Sequence, residues 1–195
     1  MFIFSLLLSL VVGIATPAFA PPPARIVKAV VNGSKLDNNT SQLSWSTSRR
    51  LTWEDFQGLP DDKNPHHALT AANLAVDVKC KNNLFLYEVK CVFLPTESWS
   101  KNKNSERLLA HEQLHFDLTE VHARQLRKKL QEIGKTCGTL QPTLNNAINA
   151  AFEAWKAEQD EFDKLSRHGL EASVQEEWTT SIEARLTNLE AYKTL

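Results

Sequence analysis

Apolar and polar positions change their rhythm several times along the chain. Residues 2–14 are a nearly unbroken apolar run. Residues 25–31 (Ile26, Val27, Ala29, Val30, Val31) lean to β before Asn32-Gly33 turns the chain. Residues 36–48 are rich in Asn, Ser and Thr and read as loop. Residues 51–60 form a short ordered piece ending in a turn, and 61–65 a polar loop. Residues 68–78 read as a strand. The clearest β signal spans 74–81 and 84–94, which flank Asn82-Asn83, a good pair for a tight hairpin. In its second arm Phe85, Tyr87, Val89 and Cys91 alternate with Leu84, Leu86, Glu88 and Lys90, the pattern of a half-buried strand.

The rhythm then becomes helical. No Pro or Gly occurs between Lys101 and Ile133, Asn104 and Ser105 are N-cap types, and Gly134 is a natural stop. Leu108, Leu114, Leu118, Val121, Leu126, Leu130 and Ile133 recur at three to four residues, which predicts a helix with one side on a core. From Gln141 onward the pattern is helical throughout. Leu144, Ile148, Ala151, Phe152, Trp155 and Phe162 form a stripe on a second helix ending near Arg167-His168-Gly169. Val174, Trp178, Ile182, Leu186 and Leu189 mark a third helix, and Trp155 and Trp178 read as packing residues. The fold class is therefore α+β: a small antiparallel sheet from the N-terminal half, packed on the first long helix and followed by two further long helices.

Composition narrows the function. The apolar run at 2–14 precedes Ala18-Phe19-Ala20, a small-x-small cleavage pattern, so residues 1–20 read as a signal peptide and the protein as exported (periplasmic or secreted). No Lys or Arg precedes the run, and Pro21 follows the cut. The run falls short of the roughly 20 residues that a spanning helix needs, and no later segment could span, so no stable membrane insertion is expected after signal removal. The remaining residues divide into a leader strand and polar loop (21–50) and one domain (51–195). Net charge is −1, which lacks the basic footprint of a nucleic-acid binder; Arg124, Arg127, Lys128 and Lys129 read as a solvated helix end. Asn38 and Asn39 head N-x-[ST] sequons. Export favours a disulfide, and Cys80, Cys91 and Cys137 leave one thiol over. A two-residue turn sets Cys80 opposite Phe85 rather than Cys91, so Cys91–Cys137 weighs equally with Cys80–Cys91.

The candidate chemistry lies on the first helix, where His111-Glu112-Gln113-Leu114-His115 reads H-E-x-x-H. That spacing puts both imidazoles on one face, a turn apart, where a single zinc ion can take both. Glu112 lies beside that face, placed to act on a metal-bound water without being a ligand. A catalytic zinc needs three protein ligands and an open position. His122 is seven residues beyond His115, about 10 Å along the axis, too far to share the ion. Asp117 is too near in sequence, and His66 and His67 read as surface residues. The second helix offers His168, beside a glycine that permits close backbone approach, as the first choice. Asp163 is the alternative, as a ligand or as a group orienting one, and Glu158 and Glu161 stand behind both. For an oxyanion helper the candidates are His66, His67 and Tyr87.

Leu51-Thr52-Trp53-Glu54-Asp55-Phe56-Gln57-Gly58, Ala68-Leu69-Thr70, His111-Glu112-Gln113-Leu114-His115-Phe116-Asp117, and Phe162-Asp163 with His168-Gly169, Gln175 and Trp178 together resemble the uncharacterised bacterial family described as predicted secreted zinc-dependent proteases, domain of unknown function 922. The resemblance implies a zincin-like arrangement, with a small sheet over the metal helix and a second helix giving the third ligand. It favours His168 and Asp163 over the other carboxylates. The expectation is an exported zinc metallopeptidase that hydrolyses peptide bonds of an unidentified peptide or protein substrate. Zn²⁺ would be held by His111, His115 and His168 (alternatively Asp163), with Glu112 as general base. The alternative is a non-catalytic zincin-like module that binds metal or a cell-envelope partner.

Overall fold

Asn82 and Asn83 both take left-handed φ, 53° and 60°, the pair of positive values that a two-residue hairpin turn requires. They join β3 (Ala72–Lys81) to β4 (Leu84–Phe93), with Cys80 opposite Phe85 as the sequence predicts. These coordinates belong to a computed structural model that describes residues 42–137 and 141–194. The expected signal peptide, the β-leaning stretch at 25–31 and the sequons at Asn38 and Asn39 lie outside the described residues.

β1 (Leu43–Ser44) pairs with the far edge of β4, giving an antiparallel sheet in the order β1-β4-β3. Of the loop expected at 36–48, residues 42–48 are described, and the correction there is this two-residue strand. The polar composition around it hides Leu43 and Trp45, which pack on the core. The strand expected over 68–78 is broken: β2 (Ala68–Leu69) pairs with β5 (Trp99–Ser100) in a separate ribbon. Between β2 and β3, Thr70 turns away to donate to the Glu112 carbonyl, 3.1 Å. Trp53–Asp55 is a 3-10 turn capped reciprocally by Thr52 and Asp55. Gly58 follows because a Cβ there would meet the Ser98 carbonyl at 2.8 Å.

Three helices complete the α+β fold: α1 (Glu106–Ile133), α2 (Gln141–Ser166) and α3 (Ala172–Asn188). The inward face of the sheet (Leu74, Phe85, Val89, Phe93) meets Phe116, Leu126 and Leu130 of α1 and Trp155 of α2. On the other side of α1, Leu114, Leu118 and Val121 meet Phe162 of α2 and Ile182 of α3, with Trp178 against them. Lying between sheet and helices, α1 is buried at every residue from 111 to 124, not along one side as the apolar stripe suggests.

A helix buried all round must pair its polar groups, and α1 does. Gln113 accepts from the Leu51 amide (2.7 Å), and Asp117 accepts from Trp45 (2.7 Å), Gln113 (2.8 Å) and Arg50 (3.0 Å). The expected solvated basic end is corrected in part. Lys128 and Lys129 are exposed, but Arg124 and Arg127 are buried and share Glu120, at 2.9 and 3.0 Å. Arg124 also donates to the Leu186 carbonyl, and Arg127 to the carbonyls of Val89 and Tyr192. One ionic cluster thus ties sheet, central helix and C-terminal segment together.

The disulfide is Cys80–Cys137, Cα atoms 6.1 Å apart, so neither expected pairing forms. The chain leaving α1 returns beside the hairpin, where Phe85 donates to the Lys135 carbonyl and Cys137 to that of Asn83. Cys91 points the other way, buried in the core against the Phe116 carbonyl. Among the described residues no helix is long and apolar enough to cross a membrane.

Candidate metal centre

Ser105 caps α1 by accepting from the Leu108 amide, 3.2 Å, which fixes where the helix starts. Six residues on, His111 and then His115 point to the same side, each about 1% exposed. α2 crosses that side and contributes Gln159, Phe162 and Asp163. The Phe162 ring stacks on His111 (centroids 4.6 Å, 29°) and meets His115 edge-on (4.9 Å), so both imidazoles rest on one aromatic floor.

Three potential ligand atoms converge above it. His111 Nε2 and His115 Nε2 are 3.1 Å apart, and Asp163 Oδ1 lies 3.1 Å from the first and 2.9 Å from the second. In a tetrahedral zinc site with ligands at 2.0–2.2 Å, neighbouring ligand atoms lie about 3.3 Å apart. The triangle is thus close to the face such an ion would cap, and His111, His115 and Asp163 could hold a metal ion.

The proton pattern fits. Gln159 Nε2 donates to the His115 carbonyl (3.0 Å) and to Thr119 Oγ1 (3.1 Å), so its oxygen is the atom facing His115 Nδ1 at 2.5 Å. That acceptor holds the proton on Nδ1 and leaves the Nε2 lone pair toward Asp163 and His111. Burial lowers the His111 pKa, outweighing the hydrogen bond that a protonated ring would donate to Asp163, which favours the neutral imidazole that metals bind. For Asp163, burial opposes ionisation. A protonated His115 and hydrogen bonds from His111, His115 and His168 outweigh it and hold the carboxyl well below the usual range; a cation in place of those protons would keep it ionised in the same way while taking both Nε2 lone pairs. Two lone-pair nitrogens and a carboxylate meeting at one point are electrostatically reconciled by a shared cation.

Of the residues expected here, His111, Glu112, His115 and Asp163 come together within the protein. His168, the first choice for third ligand, stands beside the group rather than in it. Its side chain is 52% exposed, with Nδ1 at 3.3 Å from Asp163 Oδ1. The reason is local. α2 ends at Ser166, and Arg167, His168 and Gly169 turn left-handed, φ 50°, 56° and 81°. That turn lays the Gly169 backbone, rather than the His168 ring, against His111: a Cβ on Gly169 would lie 3.1 Å from His111 Cβ and Cγ. The His168 ring meets His66 edge-on, centroids 4.6 Å apart.

Glu112 is 2% exposed, and its Oε2 has no hydrogen-bond partner. It lines a cavity of about 380 Å³ with His111, Asp163, His66, His67 and His168. The rim carries the exposed Arg107, His168 and Leu170. Tyr87 does not line it; its hydroxyl donates to the Arg127 carbonyl on the sheet side of α1. His122 is buried and paired with Glu158 (2.7 Å), which Arg185 clamps at 2.5 and 3.0 Å. Glu158 is therefore committed away from the His-His-Asp group.

Sequence reasoning missed Gln159. The available signal was its spacing four residues before Asp163, which puts both on one face of α2.

A family model described as "Bacterial protein of unknown function (DUF922)" matches residues 46–169. The span opens beside Trp45, which docks on Asp117, and closes at Gly169 against His111. Neither a curated protein nor a solved structure matches the chain.

Proposed function

The chain belongs to this bacterial family of unknown function, and from that premise we propose that it is an exported zinc-dependent metallopeptidase of zincin type. The observation that carries the reading is the Glu112 carboxylate. It is buried, with one oxygen unpartnered, beside a buried His-His-Asp group and facing a cavity that reaches the surface. A buried carboxylate oxygen left without a donor costs stability, which a purely structural metal site gives no reason to retain. The rival reading, a metal-binding or cell-envelope interaction module without catalysis, leaves that carboxylate unexplained.

His111, His115 and Asp163 would hold the ion, with Gln159 fixing the tautomer of His115. Zinc there would supply Lewis acidity, bringing the pKa of water to about 7 and polarising a carbonyl oxygen. Glu112 accepts the proton of the attacking water and delivers it to the leaving amine, a role that needs reach into the cavity without metal ligation. Phe162 below and the enclosing helix keep bulk water from the ligand side. Two imidazoles and a carboxylate with an open position suit zinc and also iron(II); the choice of zinc rests on the H-E-x-x-H spacing with Glu112 as base. The Cys80–Cys137 bond supports export, since disulfides persist in oxidising compartments.

Glu112→Gln tests this reading. It should keep the metal and the fold while hydrolysis of unstructured protein substrates drops by a factor on the order of 10²–10⁴. Normal turnover by that variant would refute the mechanism.

A further inference from the structure

His115 has Gln159 to set its proton; His111 has no such partner in place. Its Nδ1 is buried and makes no hydrogen bond. A second buried atom nearby is in the same condition: Oε1 of Gln175, four residues after the Glu171 N-cap of α3. Both side chains border the same point beside Gly169. An added Cβ on that glycine would lie 3.1 Å from Gln175 Oε1 and 3.1 Å from His111 Cγ, so the two side chains are at most about 6 Å apart.

We infer that Gln175 is a positioning residue for the metal centre, whose side-chain oxygen accepts the Nδ1 proton of His111 and thereby directs the Nε2 lone pair at the ion. The inference rests on His111 being a metal ligand, as proposed above. A ligating imidazole almost always gives its second N–H to a carboxylate, a carbonyl or a water. An amide oxygen is a suitable acceptor, and a rotamer adjustment of a long side chain covers the remaining gap. The connecting turn makes the approach possible. Gly169 donates to Ser166 Oγ, His168 to the Asp163 carbonyl, and Glu171 to the Ser166 carbonyl. These bonds lock the start of α3 over His111, and the missing Cβ of Gly169 leaves the path between the side chains clear. Gln175 lies beyond the matched span 46–169, so α3 joins the site through this residue.

Zinc competition against a chromophoric chelator, with wild type, Gln175→Leu and Gln175→Glu, tests the assignment. Removing the acceptor in Gln175→Leu should weaken zinc binding by roughly 10–100-fold, and Gln175→Glu, which keeps an acceptor, should restore it. Equal weakening in both variants, or binding by Gln175→Leu within about twofold of wild type, overturns the inference. Imidazole ¹⁵N spectra of the zinc-loaded wild type give a readout independent of folding. His111 should carry its proton on Nδ1, with a cross-peak from that proton to the Gln175 side chain, and absence of the cross-peak overturns the inference. Zinc binding by wild type without these effects leaves the His-His-Asp site standing; no zinc binding by wild type removes both.

Discussion

Gln159 grips His115 at two points, its amide nitrogen on the histidine's own carbonyl and its oxygen 2.5 Å from the ring Nδ1. The same residue therefore fixes both the rotamer of the ring and the position of its proton. Gln159→Leu removes both contacts, and zinc affinity should fall by about 10–100-fold, as is typical when such a supporting group is lost. Competition titration reads this directly. Affinity equal to wild type would mean that the tautomer is set elsewhere.

Gly169 and Gly134 make a matched pair, because both take positive φ, 81° and 117°, but only Gly169 has neighbours where a Cβ would sit. Alanine at either position should cost on the order of 1–2 kcal/mol in urea unfolding through backbone strain. Only Gly169→Ala should also lower zinc affinity, since its methyl pushes on His111. Equal zinc affinity in the two variants would contradict the packing argument.

The contrast between these elements and the sequence has physical causes. The hairpin was legible because alternation and Asn82-Asn83 are local signals, and the His111–His115 pair because helical spacing is local too. The all-round burial of α1 was not, since Gln113, Asp117 and Arg124 look solvent-facing until their partners arrive from distant segments. The Cys80–Cys137 bond depends on where the chain returns after α1, which no periodicity encodes. Choosing between His168 and Asp163 depended on the left-handed turn at 167–169. The sequence announces a glycine there, but not that its backbone would pack against His111.

Glu120 is the shared partner of two buried arginines. Glu120→Ala leaves both charges without it and should cost about 3–5 kcal/mol, the usual penalty for breaking a buried pair from one side. Lys129→Ala, at the exposed pair with Glu132, should change stability by less than about 0.5 kcal/mol. Chemical denaturation of the two variants separates these cases, and comparable small losses would refute the clamp.

Glu158 is partly buried, which resists ionisation, but hydrogen bonds from His122 and Arg185 and the charge of Arg185 bring its pKa from 4.5 down to about 2. Because the folded-state pKa is depressed, the stability it contributes is present above about pH 4.5. It is lost as pH falls through about 2. Wild type should therefore be more stable than Glu158→Gln at pH 6, with the gap closing between pH 4.5 and 2. A gap that widens on acidification would contradict the sign.

Zinc content of the purified chain, measured alongside Asp163→Ala and His168→Ala, decides which residues hold the ion. Wild type should carry about one zinc per chain, as a single site requires; Asp163→Ala should lose it and His168→Ala should keep it. No zinc in wild type after the metal is supplied, or loss confined to His168→Ala, would contradict the His-His-Asp site.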